Sequence, residues 1–293
     1  MGRQVLNLAL EERHDVVAVT RKPAARQRLS ATGARAAVVP FTVDGLREAF
    51  VGCDAVVHLA NIGAERGGET YEAVNVQGTR AAGQAARAAG VRQFVYFSGL
   101  GVAHYGVNPH TTNPYFLSKL RAEAGLFEIL EDATVFRPSY ILGPGDGLVT
   151  QLLKDIAAGE VEVPGDGSYR LQPLGVRDAA RAVLAAFGRE GGGHRVFDLV
   201  GEIPVAYRDF LGLVFRESGT APRVRQVPLA AALQAAREGG YRGLHADELA
   251  CLLCDEVADP RRLQSLLGAF GQPLEEAVRV AVRGTRVGLR PHA

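Results

Sequence analysis

Short apolar runs alternate with stretches of helical spacing along residues 1–138, and this alternation limits the possible folds more than any other feature of the chain. Val16–Val19 is a continuous apolar run, which is typical of a strand buried on both faces. Apolar residues three and four apart, as in residues 3–13, are typical of a helix. The order of these segments is that of βαβ units, without hairpin signals. The sequence therefore predicts an α/β fold with a doubly wound parallel sheet covered by helices on both faces.

Five strands are predicted in this part of the chain. One helix is predicted to begin with Asp44 as its N-cap and to continue through Phe50. Another begins at Asn113 and Pro114, an N-cap followed by a proline at the first helical position. The predicted strands are 16–19, 36–39, 54–60, 93–98 and 133–138, and further helices are predicted at 24–32 and 69–89.

The pattern changes beyond residue 143, where turns and helices dominate. We expect a first domain over 1–145, to which 169–200 returns, and a smaller, mainly helical substrate lobe over 146–293. The helices of this lobe are predicted at 147–158, 177–188, 207–217, 228–237, 246–257 and 274–281.

The composition is that of an ordinary globular protein. The net charge of +1 gives no reason to expect a nucleic-acid or membrane partner, and no apolar run is long enough to span a bilayer. Three cysteines do not make a disulfide framework, so a cytoplasmic location is expected. Cys251 and Cys254 form a CxxC pair inside an apolar helical stretch, and we interpret them as core thiols rather than as half of a zinc site.

The most informative local signal is the pair Tyr115 and Lys119. Residues four apart lie on one face of a helix. An ammonium close to a phenol favours the phenolate, so Tyr115 would exchange a proton with a carbonyl or an alcohol near neutral pH. The alternative is a tyrosine at a helix start followed by a solvated lysine.

Several short motifs then resemble those of the extended and atypical short-chain dehydrogenase/reductases in order and spacing. The resemblance covers residues 2–190 and is strongest to the NAD(P)-binding group that includes the reductase-like accessory subunit of respiratory complex I. It implies a Rossmann domain with a small substrate lobe and a nicotinamide dinucleotide as ligand. The motifs are HLA (58–60), NVQGT (75–79), FVYFSG (94–99), YFLSK (115–119), FRPSYILGPGD (136–146), VPGDGSYRLQPLGVRDAARAV (163–183) and LLGAFGQPLEEAV (266–278).

The resemblance also implies roles for individual residues. Tyr115 would be the catalytic acid and base, and Lys119 its electrostatic partner and a ribose ligand. Asn75 would brace the sheet near the active site. The remaining cofactor contacts implied by the resemblance are Leu59 and Ala60 beneath the cofactor and Pro138, Ser139 and Tyr140 near the nicotinamide.

Two departures from the family pattern matter. The family's substrate-polarising Ser or Thr usually follows the position of Ser98, where this chain has Gly99. Ser98 would take over that role only after a backbone shift, and otherwise a donor that stabilises the developing oxyanion is missing.

The second departure concerns the start of the chain. The first strand of a doubly wound sheet is central, and it leads into a Gly-rich turn that binds the pyrophosphate. Here Gly2 is the last glycine of such a turn, and the strand before it is missing. Since the loss of a central strand would cost about 10 kcal/mol, we expect the natural chain to begin upstream of Met1. The alternative is a genuine start with a damaged cofactor site.

The choice of cofactor can be argued from charge. An acidic residue at the end of the second strand binds the ribose hydroxyls of NAD. This strand ends instead in Thr20, Arg21 and Lys22, which suit the 2′-phosphate of NADP(H). NADP(H) is therefore favoured over NAD(H), and a solvated basic turn is the alternative.

Three functions follow from these observations. The first is an NAD(P)H-dependent oxidoreductase acting on a small-molecule substrate, with a nucleotide-sugar epimerase or dehydratase as a variant that uses the same residues. The second is a non-catalytic NADPH-binding sensor, assembly factor or accessory subunit in respiratory or quinone metabolism. The expected protein partners are a second copy of the chain or a membrane complex. The third, a defunct protein, follows only if Met1 is the true start.

Overall fold

The computed structural model describes residues 1–188, 192–238, 240–242 and 244–288. These residues form two units, each with its own core. Unit 1 consists of Met1–Val102, Pro114–Arg137 and Ala180–Phe197, and unit 2 of Ala103–Asn113, Pro138–Ala179 and Asp198–Ala293.

The strands of the described residues are short, mostly of two to six residues. In chain order they are β1 (Val17–Thr20), β2 (Arg35–Val38), β3 (Ala55–His58), β4 (Gln93–Phe97), β5 (Ala133–Pro138), β6 (Ile141–Leu142), β7 (Glu160–Pro164), β8 (Arg170–Leu171), β9 (Leu174–Gly175), β10 (Arg195–Leu199), β11 (Val205–Ala206) and β12 (Arg223–Val227).

The helices are mostly longer than the strands, with five to sixteen residues each. They are α1 (Gly2–Glu11), α2 (Arg26–Ser30), α3 (Val43–Phe50), α4 (Gly78–Ala88), α5 (Pro114–Ile129), α6 (Gly147–Ala157), α7 (Val176–Ala185), α8 (Tyr207–Ser218), α9 (Leu229–Glu238), α10 (Ala246–Leu253), α11 (Arg261–Leu267) and α12 (Leu274–Gly288). Short 3₁₀ turns cover Pro23–Ala25 and Leu100–His104, and a π-helical segment, Glu72–Gln77, leads directly into α4.

Unit 1 is built on a parallel sheet with the strand order β10-β5-β4-β3. The pairs β3–β4 and β4–β5 are both parallel, with Val56 opposite Phe94 and Val95 opposite Thr134. Buried residues of these strands pack against α3, α4 and α5 in one core. The predicted α/β fold with a parallel sheet and flanking helices is thereby confirmed.

A second, smaller sheet of unit 1 consists of β1 and β2, which are also parallel, with Val17 opposite Arg35. Among the residues that the structure describes, no strand joins this pair to β3. The basic turn Thr20–Lys22 lies at the carboxyl end of β1, where the sequence predicts it.

Helix α3 begins two residues earlier than predicted. Its N-cap is Thr42, whose hydroxyl oxygen accepts a hydrogen bond from the Gly45 amide at 3.3 Å. Asp44 instead lies in the first turn, where a carboxylate interacts favourably with the helix dipole. The prediction of Asp44 as the N-cap is wrong because Thr42 directly precedes the helix, and its hydroxyl accepts the hydrogen bond of a first-turn amide.

Unit 2 contains more β-strands than we predicted for this mainly helical lobe. Its strands β7 and β12 form a parallel pair, with Arg223 opposite Glu160, and two further pairs are β6–β9 and β8–β11. Their side chains, with those of α6, α8 and α12, form the core of this unit. The predicted helix 246–257 ends at Leu253, and the predicted helix 274–281 continues to Gly288. No helix among the described residues is both long and apolar enough to cross a bilayer.

The close approach of α3 to the preceding loop gives a test of the fold of unit 1. A Cβ atom on Gly45 would lie 2.6 Å from the carbonyl oxygen of Pro40 and 2.8 Å from its Cγ. Glycine to alanine normally stabilises a helix, but here we expect Gly45→Ala to lower the free energy of unfolding by about 1–3 kcal/mol, the usual cost of overpacking. Urea denaturation monitored by circular dichroism measures the change.

The exposed residue Glu48 of the same helix offers a matched control. Glu48→Ala is expected to change the free energy of unfolding by less than about 0.5 kcal/mol, as is usual for a surface position. Equal stability of Gly45→Ala and Glu48→Ala would contradict the packing seen at Pro40.

Candidate functional site

Lys119 lies completely buried in the second turn of α5. Its Nζ donates a hydrogen bond to the carbonyl oxygen of Phe97 at 2.6 Å and lies 4.6 Å from the centre of the Tyr96 ring. Burial lowers the pKa of Lys119 to about 7, because the charged amine has lost its water. The amine is therefore available in both its protonated and its neutral form near neutral pH.

Glu123, one turn further along α5, is also buried and forms a two-pronged ion pair with Arg137. The Nε and Nη2 atoms of Arg137 donate to its two oxygens at 3.0 and 2.6 Å. The negative charge of Glu123 raises the pKa of Lys119, but burial of the amine outweighs it. Arg137 thus neutralises the carboxylate of Glu123, so this carboxylate stabilises the ammonium of Lys119 less than an unpaired one would.

Tyr115 stands at the start of the same helix and is half-buried. Its ring packs against those of Tyr71 and Phe116, with centroid distances of 5.9 and 5.1 Å. Tyr71 is fixed in turn, since its hydroxyl donates to the carbonyl oxygen of Gly63 at 2.8 Å. Helix α5 therefore carries both members of the predicted pair, with the tyrosine at the surface of unit 1 and the lysine in its interior.

Asn75 connects three segments around this pair. Its Oδ1 accepts a hydrogen bond from the Ile62 amide at 2.9 Å, and its Nδ2 donates to the Ile62 carbonyl at 3.1 Å. The same Nδ2 donates to the hydroxyl of Ser118 at 3.0 Å. Asn75 lies in the π-helical segment, a type of distortion that is frequent at functional sites. It holds the loop after β3 and α5 in one arrangement.

Ser98 and Gly99 follow β4 directly, and the space beside them is occupied by a ring. Ser98 is 4% exposed, and among the described residues its hydroxyl has no hydrogen-bond partner. A Cβ atom on Gly99 would lie 2.9 Å from the Phe116 ring, and one on Gly101 would meet the same ring even more closely. Phe116 therefore fills the volume that a serine or threonine side chain at position 99 would need.

A cavity of about 590 Å³ opens within unit 1 at the carboxyl end of β1. Arg21 and Ala60, both predicted cofactor contacts, line it. Glu69 lines it as well, and its carboxylate accepts a hydrogen bond from Arg21 at 3.1 Å. The sequence did not indicate the other lining residues, which include Phe41, Thr42, Gln77, Arg80 and Gln84.

The other predicted contacts of unit 1 lie around the same strand ends. Gly2 is the first residue of α1, and a Cβ atom there would lie 3.6 Å from Leu59 Cδ1. The hydroxyl oxygen of Thr20 accepts a hydrogen bond from the Lys22 amide at 3.1 Å, which orders the basic turn. The carboxyl ends of parallel strands meet at one sheet edge, so the residues after β3 and β4 share it.

His58, in the motif before Ala60, has a structural role. It is buried, its Nε2 lies 3.1 Å from the hydroxyl of Thr79, and its ring stacks on those of Phe41 and Tyr96. Burial, reinforced by the charge of Lys119, lowers the pKa of His58 to about 3. The imidazole is therefore neutral and part of the core.

Pro138, Ser139 and Tyr140 belong to unit 2. The hydroxyl oxygen of Ser139 accepts a hydrogen bond from the Gln172 amide at 3.3 Å, and burial raises the pKa of Tyr140 well above its usual range. Their predicted contacts with a nicotinamide stay predictions. Cys251 and Cys254 are free thiols of this unit, and burial raises the pKa of both.

Comparison with known proteins decides the family. A family model described as the NAD dependent epimerase/dehydratase family matches residues 1–199. The chain belongs to this family. Its α/β fold, the Tyr115–Lys119 pair and the sequence resemblance to extended short-chain dehydrogenase/reductases agree with that membership.

Curated relatives of the family carry different activities. An uncharacterized sugar epimerase of Bacillus subtilis is 29% identical over 202 residues, which are 66% of this chain and 86% of that protein. The 2-alkyl-3-oxoalkanoate reductase of Stenotrophomonas maltophilia is 32% identical, with 60% of each chain covered. The NADH-ubiquinone oxidoreductase 40 kDa subunit of Neurospora crassa is 22% identical, with 89% of this chain and 70% of that one covered. This chain thus spans less than two thirds of the length of some of these relatives.

Solved structures share the fold over nearly the whole chain. MoeE5, in complex with UDP-glucose and NAD, superposes with a TM-score of 0.76 at 21% identity, covering 98% of this chain and 96% of that one. A UDP-glucose 4-epimerase of Thermus thermophilus, in complex with NAD, gives a TM-score of 0.75 at 18% identity, covering 97% and 95%. At these identities the likeness establishes the fold.

The contact between Phe116 and Gly99 can be tested by restoring a side chain. We expect Gly99→Ser to lower the free energy of unfolding by about 1–3 kcal/mol, because the new Cβ overlaps the ring. In a Phe116→Leu background the same substitution should cost less. A double-mutant cycle measured by urea denaturation gives the coupling between the two positions. Additive effects of the two substitutions would contradict the overlap.

Burial of Lys119 predicts a pH dependence of stability. Its pKa is lowered from 10.5 to about 7 in the folded protein, so the unfolded chain binds more protons between these values and stability rises with pH across them. Lys119→Met lacks this dependence. The stability of the variant relative to the natural protein should therefore increase as the pH falls from 10 towards 7. Urea denaturation at intervals of one pH unit measures it, and parallel profiles for the two proteins would contradict the buried amine.

Proposed function

We propose that this chain is an NAD(P)H-dependent oxidoreductase that reduces a small-molecule carbonyl or oxidises the corresponding alcohol. The observation that carries the proposal is the position of Tyr115 on α5, with the amine of Lys119 buried on the same helix. The chain's membership in a family of NAD-dependent enzymes supports it.

Arg21, Ala60 and Ser98 of unit 1 are suited to contact a nicotinamide dinucleotide. The cavity beside Ala60 and Arg21 lies at the strand ends, where such ligands bind in doubly wound sheets. The buried hydroxyl of Ser98, without a partner among the described residues, is a donor that a ligand would satisfy. When bound, the cofactor supplies or accepts the hydride.

A residue of the protein itself transfers the proton. In the reduction, the phenol of Tyr115 donates its proton to the carbonyl oxygen as the carbon receives the hydride, and the product is an alcohol. The positive charge of Lys119 then stabilises the phenolate until a proton from solvent replaces the one lost. In the reverse direction the phenolate accepts the proton of the alcohol.

The basic turn after β1 favours NADP(H) over NAD(H). Arg21 lines the cavity, and Lys22 has no ion-pair partner among the residues that the structure describes. A guanidinium and an ammonium at the end of this strand suit a 2′-phosphate, whereas NAD-binding sites usually place a carboxylate there. Glu69 complicates this preference, since its carboxylate already binds Arg21.

A non-catalytic dinucleotide-binding protein is the second candidate. The glycine at position 99 favours it, because the hydroxyl that polarises the substrate in the family pattern is absent there. The ring of Phe116 fills the space that such a side chain would need. The relative from Neurospora crassa named as a subunit of NADH-ubiquinone oxidoreductase is compatible with an accessory role. A nucleotide-sugar epimerase would use the same residues, and the solved neighbours bound to UDP-glucose and NAD support that variant.

Replacing the phenol separates these functions. NADPH binding is measured by nicotinamide fluorescence, and NADPH oxidation with a panel of 3-oxoacyl compounds and 4-keto nucleotide sugars. We expect Tyr115→Phe to bind NADPH with nearly unchanged affinity and to lose at least about 100-fold in turnover, the usual contribution of a general acid. The control Tyr71→Phe, which removes a hydroxyl from the neighbouring ring, should keep turnover within about threefold of the natural protein.

The outcomes distinguish the candidates. NADPH binding without reduction of any carbonyl by the natural protein would favour the accessory role. Conversion of UDP-glucose to its C4 epimer without net consumption of NADPH would favour the epimerase. Turnover that survives in Tyr115→Phe would contradict the assigned role of the phenol.

A further inference from the structure

The ion pair between Arg21 and Glu69 belongs to the lining of the cavity in unit 1. Nη2 of Arg21 lies 3.1 Å from Oε1 of Glu69, 48 residues away in sequence, and both residues line the cavity together with Ala60. We propose that Glu69 sets the selectivity between NADP(H) and NAD(H), by competing with the 2′-phosphate for Arg21 and by accepting the 2′-hydroxyl of NAD(H). This inference rests on the proposed function, since it requires that a dinucleotide binds here.

The loop that carries Glu69 is fixed at several points. The Glu69 amide donates to the carbonyl oxygen of Arg66 at 3.1 Å, which makes a tight turn. The carboxylate of Glu65 accepts a hydrogen bond from the Tyr71 amide at 2.7 Å, and the Tyr71 hydroxyl donates to Gly63. The carboxylate of Glu69 is therefore presented to Arg21 by an ordered loop.

The position of Arg21 relates this pair to the ribose. Arg21 follows β1, which takes the place of the second strand of a doubly wound sheet, and the residue after that strand contacts the 2′ position of the adenine ribose. Glu69 lies within hydrogen-bond distance of that guanidinium. The two opposite charges would therefore lie beside the 2′ position of a bound dinucleotide, where NADP(H) carries a phosphate and NAD(H) a hydroxyl.

The same carboxylate has opposite effects on the two ligands. A phosphate uses the guanidinium donors that Glu69 now occupies, so NADP(H) must displace the carboxylate and then tolerates two negative groups close together. A ribose hydroxyl donates to a carboxylate, which is how acidic residues select NAD. Arg21 and Lys22 thus favour the phosphate while Glu69 opposes it, so we expect a weaker preference for NADP(H) over NAD(H) than the protein would have without this carboxylate.

Removing the charge of Glu69 tests the competition. In Glu69→Gln we expect NADPH to bind about two- to fivefold more tightly and NADH about two- to threefold more weakly, changes of the size that exposed charge pairs produce. Nicotinamide fluorescence titrations of the full-length protein with NADPH and with NADH give both dissociation constants without any need for turnover. The effect on NADPH should be absent when Arg21 is replaced by methionine, which a double-mutant cycle measures.

Glu72 provides a matched control. It forms an ion pair with Arg121 at 2.7 Å, its exposure is close to that of Glu69, and it does not line the cavity. Glu72→Gln should leave both dissociation constants unchanged. Equal changes for NADPH and NADH in Glu69→Gln, or no change, would overturn the inference while leaving the proposed function intact. Failure of the natural protein to bind either dinucleotide would overturn the proposed function and this inference with it.

Discussion

The burial of the Lys119 amine against the Phe97 carbonyl is the interaction on which the candidate site depends. An ammonium taken out of water loses several kcal/mol of solvation, and a single short hydrogen bond with a ring face restores part of it. The contact joins the start of α5 to the end of β4. It therefore fixes where Tyr115 lies at the start of the helix. Burial also holds the pKa of the amine near neutral pH.

The polar groups around this contact are held in place by hydrogen bonds and an ion pair. Asn75 joins the loop after β3 to Ser118, the residue before Lys119, and Arg137 neutralises Glu123 one turn later. Buried polar groups are retained when their hydrogen bonds are satisfied by geometry of this quality. Two exceptions are Ser98 and Tyr96, whose buried hydroxyls have no hydrogen-bond partner among the described residues.

The local parts of this arrangement were predictable from the sequence, and the long-range parts were not. Tyr115 and Lys119 are four residues apart, and β-branched runs mark the buried strands, so spacing alone placed them. The alternation of Glu and Val in Glu160–Pro164 is a strand signal, whereas Arg223–Val227 lacks one because Arg225 and Gln226 are adjacent polar residues. The pair Arg21–Glu69 and the ring over Gly99 join positions that only the folded chain brings together. The spacing of residues in the sequence does not predict such long-range contacts.

The ring of Phe116 over Gly99 and Gly101 also couples the substitutions that this part of the site accepts. A side chain at position 99 enters a volume that the phenyl ring already fills, so it destabilises the fold as long as the phenylalanine is present. A variant library built around this loop should therefore change positions 99 and 116 together, because a scan of either position alone reports mainly on packing.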